Sequence, residues 1–337
     1  MTILGIESSC DECAVAVVRD GRDVLSSVIN SQIVHHQPYH GVVPELASRL
    51  HVEAIQTVYQ SALSQAGLTL AEIDGIAVTK GPGLVGSLLV GLNFAKGLAL
   101  SSDKPLVGVD HILAHLYSSQ LETPLPYPHL GLLVSGGHTL IAVVRGFDEV
   151  EVLGTTVDDA VGEAFDKVAK FFGLGYPGGK VIDDLSLEGD SSAYRFPQPR
   201  LQKATHPFDV SYSGLKTAVV NQRERFRNSR GKESLADICA SFQTTAIDLL
   251  LKKVKSVSAH TGIRRLVAGG GVAANRYLRQ RVKAWKDWEI VFPPLEYCSD
   301  NAAMIAGWGY HALLRGDRAG WDLNAESRVR RFKNSFH

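Results

Sequence analysis

Cysteine is scarce in this sequence, which contains only Cys10, Cys13, Cys239 and Cys298 among 337 residues. A disulfide framework is typical of short secreted domains with many cysteines, so this composition predicts a reduced cytoplasmic protein. Cys10 and Cys13 form a C-x-x-C pair, but a zinc ribbon requires a second such pair, which the sequence lacks. A redox function is the remaining alternative for the pair.

The sequence also lacks net charge, because 35 Lys and Arg residues balance 35 Asp and Glu residues. This balance argues against a surface coated with basic residues, so any anionic partner has to be bound by a local patch. Basic runs that contain an aromatic residue suit a phosphate backbone with stacked bases, although for any one run a solvated surface is the stronger interpretation. The candidate clusters are residues 223–232 (RERFRNSRGK), residues 328–333 (RVRRFK), and Arg276, Arg279, Arg281 and Lys283.

No apolar run reaches the length of about 20 residues that a membrane-spanning helix needs. The most apolar segment is LVGSLLVGLNFA, residues 84–95, which is followed by Lys96. We interpret it as a buried helix rich in small residues. The N-terminal residues MTILGIESSC have no basic region ahead of an apolar stretch, so no signal peptide is expected.

Two segments of the chain share one plan of apolar strand, small polar turn and second apolar strand, namely residues 2–18 and 130–144. The first run of each is almost wholly apolar, as in a strand that is buried on both faces. This repetition predicts a duplicated α/β fold with a cleft between its halves. Helices are predicted near residues 44–66, 158–173, 234–260 and 300–315, strands within 73–83 and 264–278, and a proline-rich linker at 123–129.

Glycine-rich turns occur at residues 135–138 (SGGH), 177–179 (PGG) and 268–276 (AGGGVAANR). Glycine allows the backbone to approach a phosphate, ribose or base closely, so three such turns favour a nucleotide-binding cleft. The sequence has no G-x-x-x-x-G-K-[ST] motif and no G-x-G-x-x-G pattern after a strand. These absences exclude a P-loop protein and a standard NAD-binding protein.

His111 and His115 lie four residues apart in VDHILAHL, a spacing that brings two imidazoles onto one helical face. The pair can share a metal ion, although solvated or capping histidines are an equal alternative. Zinc peptidases of the H-E-x-x-H type carry a glutamate after the first histidine, where this sequence has Ile112. A third ligand is expected to be a carboxylate. Asp300 is the candidate, or else it only caps the last helix.

Several acidic residues are further candidates for the chemistry of the site. Asp11 and Glu12 lie in the first polar turn, which is expected to face the cleft. Asp159, Glu163 and Asp166 recur at helical spacing, and Lys167 and Lys170 could pair with them. For most of this acidic set, which also includes Asp158 and Asp183, a solvated helix face is the stronger interpretation.

A series of ordered motifs resembles the tRNA threonylcarbamoyladenosine transferase family of the TsaD type over nearly the whole chain. These motifs are GIESSCDE (5–12), HGVVPELASR (40–49), KGPGLVGSLLVG (80–91), VDHILAH (109–115), LLVSGGHT (132–139), DDAVGEAFDKVAK (158–170), YPGG (176–179), SYSGLKT (211–217), GGGVAANRYLR (269–279) and CSDNAAMIA (298–306). Cys13 and Leu50 depart from the commonest family form, but neither is a metal or nucleotide residue.

The resemblance implies a two-lobed α/β fold of the actin/Hsp70/sugar-kinase (ASKHA) class with a nucleotide cleft between the lobes. The N-terminal lobe would span residues 1–128, completed by a C-terminal helix at about 303–337, and the C-terminal lobe residues 129–302. One divalent metal per chain, iron or zinc, would be held by His111, His115 and Asp300. The implied substrate-binding residues are Leu133, Val134, Ser135, Gly136, Gly137, Asp166, Gly179, Asp183 and Asn275.

The resemblance also implies an acyltransferase that moves a threonylcarbamoyl group from threonylcarbamoyl-AMP to a tRNA. The acceptor would be the N6 amine of adenosine 37 in tRNAs that read codons beginning with A, and AMP would be released. The implied partners are tRNA, a TsaB-type paralogue and a small TsaE-type ATPase, with no membrane. Within the basic clusters, tRNA contact is assigned to Arg223, Arg225, Arg227 and Arg230.

This interpretation explains why no glutamate follows His111. A hydrolase needs a base that activates a metal-bound water, whereas a carbamoyl transferase has to keep water away from its donor. We therefore expect the metal to act as a template and Lewis acid, with Asp11 or Glu12 accepting the amine proton. His138 is either a further donor to the phosphate or a core histidine. The alternatives are a metallopeptidase, an ASKHA-type ATPase or kinase, and a scaffold protein.

Overall fold

A computed structural model describes residues 1–197, 206–222 and 234–328. The chain divides into two compact units, one formed by Met1–Pro124 with the described residues from Pro293 onward, and the other by Leu125–Phe292. The sequence predicts these boundaries at residues 128/129 and at about 303. In the structure the return to the first unit begins earlier, because the loop that carries Asp300 packs against the helix of His115, 3.0 Å away.

The first unit is built on a mixed five-stranded sheet of order β3-β2-β1-β4-β5. Its first three strands are antiparallel neighbours, whereas β1, β4 and β5 run parallel. The strands are β1 (Thr2–Glu7), β2 (Glu12–Arg19), β3 (Asp23–Ser31), β4 (Gly75–Gly81) and β5 (Leu106–Asp110). The helices that accompany them are α1 (Ile33–His36), α2 (Pro44–Ala66), α3 (Val85–Ser102) and α4 (His111–Tyr117).

The second unit repeats this topology. Its sheet has the order β10-β9-β6-β7-β8, and from β8 to β10 its strand pairs are antiparallel, antiparallel, parallel and parallel, as they are from β3 to β5 in the first sheet. The strands are β6 (His129–Val134), β7 (Thr139–Gly146), β8 (Glu149–Thr155), β9 (Arg265–Gly269) and β10 (Glu289–Val291). The helices are α5 (Val161–Phe172), α6 (Gly178–Leu185), α7 (Ser213–Asn221), α8 (Leu235–Thr261) and α9 (Arg276–Lys283). The predicted duplication of an α/β core is therefore confirmed.

The last described helix, α10 (Ala302–Leu314), belongs to the first unit and is buried along most of its length. It packs so closely on β1 that a Cβ atom at Gly5 would lie 2.3 Å from the Ala302 carbonyl oxygen. The helix is capped by Asn301, whose side chain accepts a hydrogen bond from the Met304 amide at 3.0 Å. Asp300 is therefore not the cap of this helix, and its carboxylate lies 3.0 Å from His115 Nε2 instead.

The contact of Gly5 with α10 leads to a prediction about stability. Gly5→Ala should destabilise the fold by about 1–3 kcal/mol, because the added methyl group meets backbone atoms that cannot rotate away. Urea unfolding followed by circular dichroism measures the change. The matched control is Gly97→Ala in α3, where no atom lies within 4 Å of the new Cβ and helix propensity predicts a gain of up to ~1 kcal/mol. Equal effects of the two substitutions would contradict close packing at Gly5.

Helix α3 contains the most apolar segment of the sequence, and Val85–Ser102 is the one helix among the described residues with the length and hydropathy to cross a membrane. In the structure only 33% of that window is buried. The buried residues, which include Ser87, Leu88, Gly91 and Leu92, form one helical face. The interpretation as a buried helix therefore holds for one face only, and Leu100 on the other side is 69% exposed.

Candidate functional site

The structure brings His111, His115 and Asp300 together, with their potential ligand atoms within 4.8 Å of one another. Both histidines lie on α4, one turn apart, and this helix is capped by Asp110, which accepts hydrogen bonds from the Ile112 and Leu113 amides. Asp300 Oδ1 lies 3.0 Å from His115 Nε2 and 3.6 Å from His111 Nε2. The two imidazoles thus direct their Nε2 atoms towards one carboxylate, as a shared metal ion requires.

Glu7 orients His111 and is absent from the site residues predicted from the sequence. Glu7 ends the apolar strand β1, is fully buried, and places its Oε2 atom 3.0 Å from His111 Nδ1. Thr79 donates a hydrogen bond to the same carboxylate at 2.7 Å. The signal was present in the sequence, because a carboxylate at the end of a wholly apolar strand has to be paired when it is buried.

The charges of this cluster are strongly coupled. Burial alone lowers the pKa of His111, but the carboxylates of Glu7 and Asp300 outweigh it and raise that pKa to about 9. Burial raises the pKa of Glu7, but its contact with His111 prevails and the net shift is downward. Burial and the neighbouring His111 lower the pKa of His115. The two carboxylates therefore favour the protonated form of His111, whereas burial favours the neutral form of His115.

The residues present fit a divalent transition metal. Glu7 accepts the Nδ1 proton of His111, which leaves the Nε2 lone pair of that ring for a metal once the second proton is released. His115 Nδ1 is buried and has no hydrogen-bond partner among the described residues, so the polar contact of this ring is made by Nε2 alone. Two imidazole nitrogens and one carboxylate oxygen suit zinc or iron.

The first polar turn places acidic residues near this cluster. Asp11 is buried, and Glu12, the first residue of β2, accepts a hydrogen bond from the Ser31 hydroxyl. Burial, followed by the charges of Asp11 and Asp300, raises the pKa of Glu12 well above its usual value. A raised pKa makes a carboxylate a stronger base, which suits a proton acceptor.

The two cysteines of this turn do not behave as a redox pair would. Burial and then the charges of Asp11 and Asp300 raise the pKa of Cys10 well above its usual value. Burial, with a smaller effect of Glu7, raises the pKa of Cys13 to about 12. Because the thiolate is the reactive form, both thiols are poor nucleophiles, and the redox alternative for the C-x-x-C is not supported.

In the second unit, the SGGH turn connects β6 to β7. The Ser135 amide donates to the His138 carbonyl, and the His138 amide donates to the Ser135 hydroxyl, so the turn is closed. Gly136 and Gly137 are exposed, with no atom within 4 Å of a Cβ at either position. Leu133 and Val134 are fully buried in β6, so neither residue offers exposed surface to a ligand.

The other predicted substrate residues of this unit form two pairs. Asp166 accepts a hydrogen bond from the Gly178 amide at 2.7 Å, which fixes the start of α6 beside Gly179. Asn275 donates to Asp183 at 3.2 Å and also caps α9 through the Leu278 amide. Two partners of this second pair were missed in the sequence. Gln243 accepts from Asn275 at 2.7 Å, and the Arg276 guanidinium donates to Asp183 at 2.7 Å.

The interpretation of Asp158 and Asp159 as members of a solvated helix face is wrong. Helix α5 begins after them, at Val161. Asp158 accepts hydrogen bonds from the amide and hydroxyl of Ser213, from the Tyr212 amide and from the Ser211 hydroxyl. Asp159 pairs with Lys167 and Lys216. These two aspartates therefore attach the SYSG segment to the start of α5. The expected pairing of Lys167 with Glu163 is confirmed, at 2.8 Å.

The basic clusters differ in what the structure shows of them. Arg223, Arg225, Arg227 and Arg230 lie outside the described residues, as do residues 329–333 of the second cluster. In the third cluster, Arg276 pairs with Asp183 and Asp184, and Arg281 pairs with Asp248. Arg279 donates to the Ala273 carbonyl and lies 4.8 Å from the Phe292 ring centre. These three guanidinium groups therefore have internal partners, whereas Lys283 is exposed.

Comparison with a solved structure supports the fold. HypF of T. kodakarensis superimposes with a TM-score of 0.62 at 14% identity, over 94% of this chain and 48% of that chain. At this identity the likeness concerns the fold alone. Together with the duplicated sheet topology, it shows the α/β fold of the ASKHA class that the sequence predicts.

Comparison with sequences shows the family. The family model of TsaD, described as tRNA N6-adenosine threonylcarbamoyltransferase, matches residues 23–307. A relative of that name from Treponema denticola is 57% identical over 332 residues, which cover 98% of each chain. Another, from Borreliella burgdorferi, is 48% identical and covers 100% of this chain and 96% of its own length. The chain therefore belongs to the TsaD family of tRNA N6-adenosine threonylcarbamoyltransferases.

Proposed function

We propose that the protein transfers the threonylcarbamoyl group of threonylcarbamoyl-AMP to the N6 amine of adenosine 37 in tRNAs that read codons beginning with A, and releases AMP. The observation that carries the proposal is the identity of 57% over 98% of both chains with a relative of that name. The cluster of His111, His115 and Asp300 supports it, because it offers the ligands of the metal site that the family resemblance implies.

His111, His115 and Asp300 would hold one divalent ion, iron or zinc, through two imidazole nitrogens and one carboxylate oxygen. When bound, such an ion would supply Lewis-acid and template chemistry towards the donor's threonyl carboxylate or hydroxyl and its carbamoyl carbonyl. Glu7 keeps the His111 ring in the orientation that points Nε2 at Asp300. Ile112, which replaces the glutamate of a zinc peptidase, leaves no base on α4 to activate water.

The chain's loops would bind the adenylate part of the donor. The exposed Gly136 and Gly137 allow backbone amides of the SGGH turn to approach the phosphate. Asp183 would accept hydrogen bonds from the ribose hydroxyls, and Asn275 with the glycines of its loop would contact the base. These two side chains hold each other at 3.2 Å, so the donor would meet a preformed surface. His138 is a further candidate donor to the phosphate.

In the transfer, the adenosine N6 atom forms a bond to the carbamoyl carbon, and the bond between that carbon and the phosphate oxygen breaks. AMP leaves with the electron pair as a stabilised phosphate, and the attacking amine loses one proton. Asp11 or Glu12 would accept this proton, and the raised pKa of Glu12 suits that function. An aromatic amine is a weak nucleophile, so orientation of both substrates should provide most of the rate.

The expected partners are tRNA, a TsaB-type paralogue and a TsaE-type small ATPase, in the cytoplasm, with a separate enzyme making the adenylate. Arg223, Arg225, Arg227 and Arg230 remain candidates for tRNA contact. The metallopeptidase and ATPase alternatives are not favoured, because the relatives with near-complete coverage are named transferases.

Reconstitution tests the proposal. Unmodified tRNA, threonine, bicarbonate and ATP are combined with the adenylate-forming enzyme, the two partner proteins and this chain, and the tRNA is digested to nucleosides. We expect threonylcarbamoyladenosine by mass spectrometry only when this chain is present. A yield that does not depend on this chain, or metal-dependent cleavage of casein by the purified protein, would refute the transferase.

A further inference from the structure

The second unit carries a groove of about 410 Å³ between the exposed face of α8 and the end of α9. Lys252, Lys255 and Ser256 of α8 line one side, and Arg281 of α9 with the following Trp285 lines the other. Lys252 and Lys255 stand three residues apart, so their side chains lie on one face of the helix. None of these residues belongs to the predicted donor-binding set.

Two lysines of the groove, Lys252 and Lys255, have no acidic partner among the described residues. The one carboxylate of the groove, Asp248, is already paired with Arg281 at 2.8 Å and accepts a hydrogen bond from Tyr277. No ion pair involves Lys252 or Lys255 in the part of the chain that the structure describes, and both are exposed. Other described lysines are paired, such as Lys180 with Asp184 and Lys216 with Asp159. The protein as a whole is neutral, so this groove is a local concentration of positive charge.

Two tryptophan side chains, Trp285 and Trp288, lie beside these charges. The Lys255 ammonium lies 4.9 Å from the centre of the Trp285 ring, and Trp288 packs against that indole at 4.6 Å between centroids. Trp285 is only partly buried and lines the groove, so part of its ring is exposed there. A movable lysine over an indole can exchange its ring contact for a phosphate, and the uncovered ring can then stack on a base.

We propose that this groove binds tRNA, with Lys252 and Lys255 contacting backbone phosphates and Trp285 stacking on an unpaired base. The inference rests on the proposed function, which makes tRNA the acceptor substrate. Exposed lysines beside a partly exposed indole match the charge and the stacking surface of RNA. An acidic protein segment would use the lysines but has no need of the indole, so RNA is the better match.

The test compares charge reversals in the full-length protein. Lys255→Glu and the double variant Lys252→Glu/Lys255→Glu are measured against Lys170→Glu, a reversal of an exposed lysine on α5 that has no ion pair among the described residues. Filter binding with unmodified tRNA at several salt concentrations gives the affinity and its salt dependence. We expect the double variant to lose at least about tenfold in affinity. Its plot of log K against log salt should become shallower, with the magnitude of the negative slope reduced by about 2.

Trp285 provides an independent arm. Trp285→Ala should weaken tRNA binding roughly tenfold, whereas Trp285→Phe, which keeps an aromatic face, should retain most of the affinity. In the reconstituted reaction these variants should raise the KM for tRNA and leave kcat unchanged. Thermal unfolding and metal content should match those of the unmodified protein, which separates lost binding from lost structure.

The outcomes separate this inference from the proposed function. If the unmodified protein makes no product, the proposed function fails, and the binding measurement still decides on the groove. If product forms while all groove variants bind tRNA like Lys170→Glu, the groove inference is overturned. It is equally overturned if the variants keep their tRNA affinity but lose a partner protein, or if the unmodified protein does not bind tRNA.

Discussion

Asp300→Ala should reduce product formation in the reconstituted reaction to background and lower metal affinity by more than about 100-fold. Among the three predicted metal ligands, Asp300 provides the one carboxylate oxygen, 3.0 Å from His115 Nε2 and 3.6 Å from His111 Nε2. Without it, two neighbouring imidazoles are a weak site for a divalent ion. Isothermal titration with iron or zinc measures the affinity, and nucleoside analysis measures the product.

A control on the same loop separates loss of the metal from loss of the fold. Glu296 is exposed and lies four residues earlier, so Glu296→Ala removes one carboxylate from this loop without touching the cluster. It should leave affinity and product unchanged. The fold should also persist in Asp300→Ala, because Asn301 rather than Asp300 caps α10. Full product with Asp300→Ala would mean that the cluster is not the metal centre.

Local patterns in the sequence predicted several elements well. The helix over residues 44–66 has those bounds in the structure, because Pro44 opens it and Gly67 ends it in a left-handed conformation. The predicted helix at 234–260 matches α8, where Ser234 caps the first turn. The shared face of His111 and His115 could also be predicted, because residues four apart on one helix lie on the same side of it.

Contacts between residues that are far apart in the sequence could not be predicted from local patterns. Asp300 meets His115 across 185 positions, so its place before the last helix made it only a candidate ligand, and the assignment came from the family resemblance. Asp158 was misread because the residues that it binds lie more than 50 positions later, beyond α5. The pairing of Arg281 with Asp248, 33 positions away, is another tertiary contact. In each case the sheet and helix packing determines the partner.

Glu7→Gln should lower metal affinity by about 10–100-fold, because the carboxylate that orients His111 becomes a neutral amide. The amide also removes the charge that, with Asp300, raises the pKa of His111 to about 9, so less imidazolium should form without metal. Nuclear magnetic resonance titration of the metal-free protein should therefore give a lower pKa for His111.

Thr79→Val is the matched control, because it removes the hydroxyl that donates to Glu7 at 2.7 Å but leaves the carboxylate in place. It should lower metal affinity less than Glu7→Gln does. If Glu7→Gln left both the affinity and the pKa of His111 unchanged, the buried carboxylate would have only a structural role.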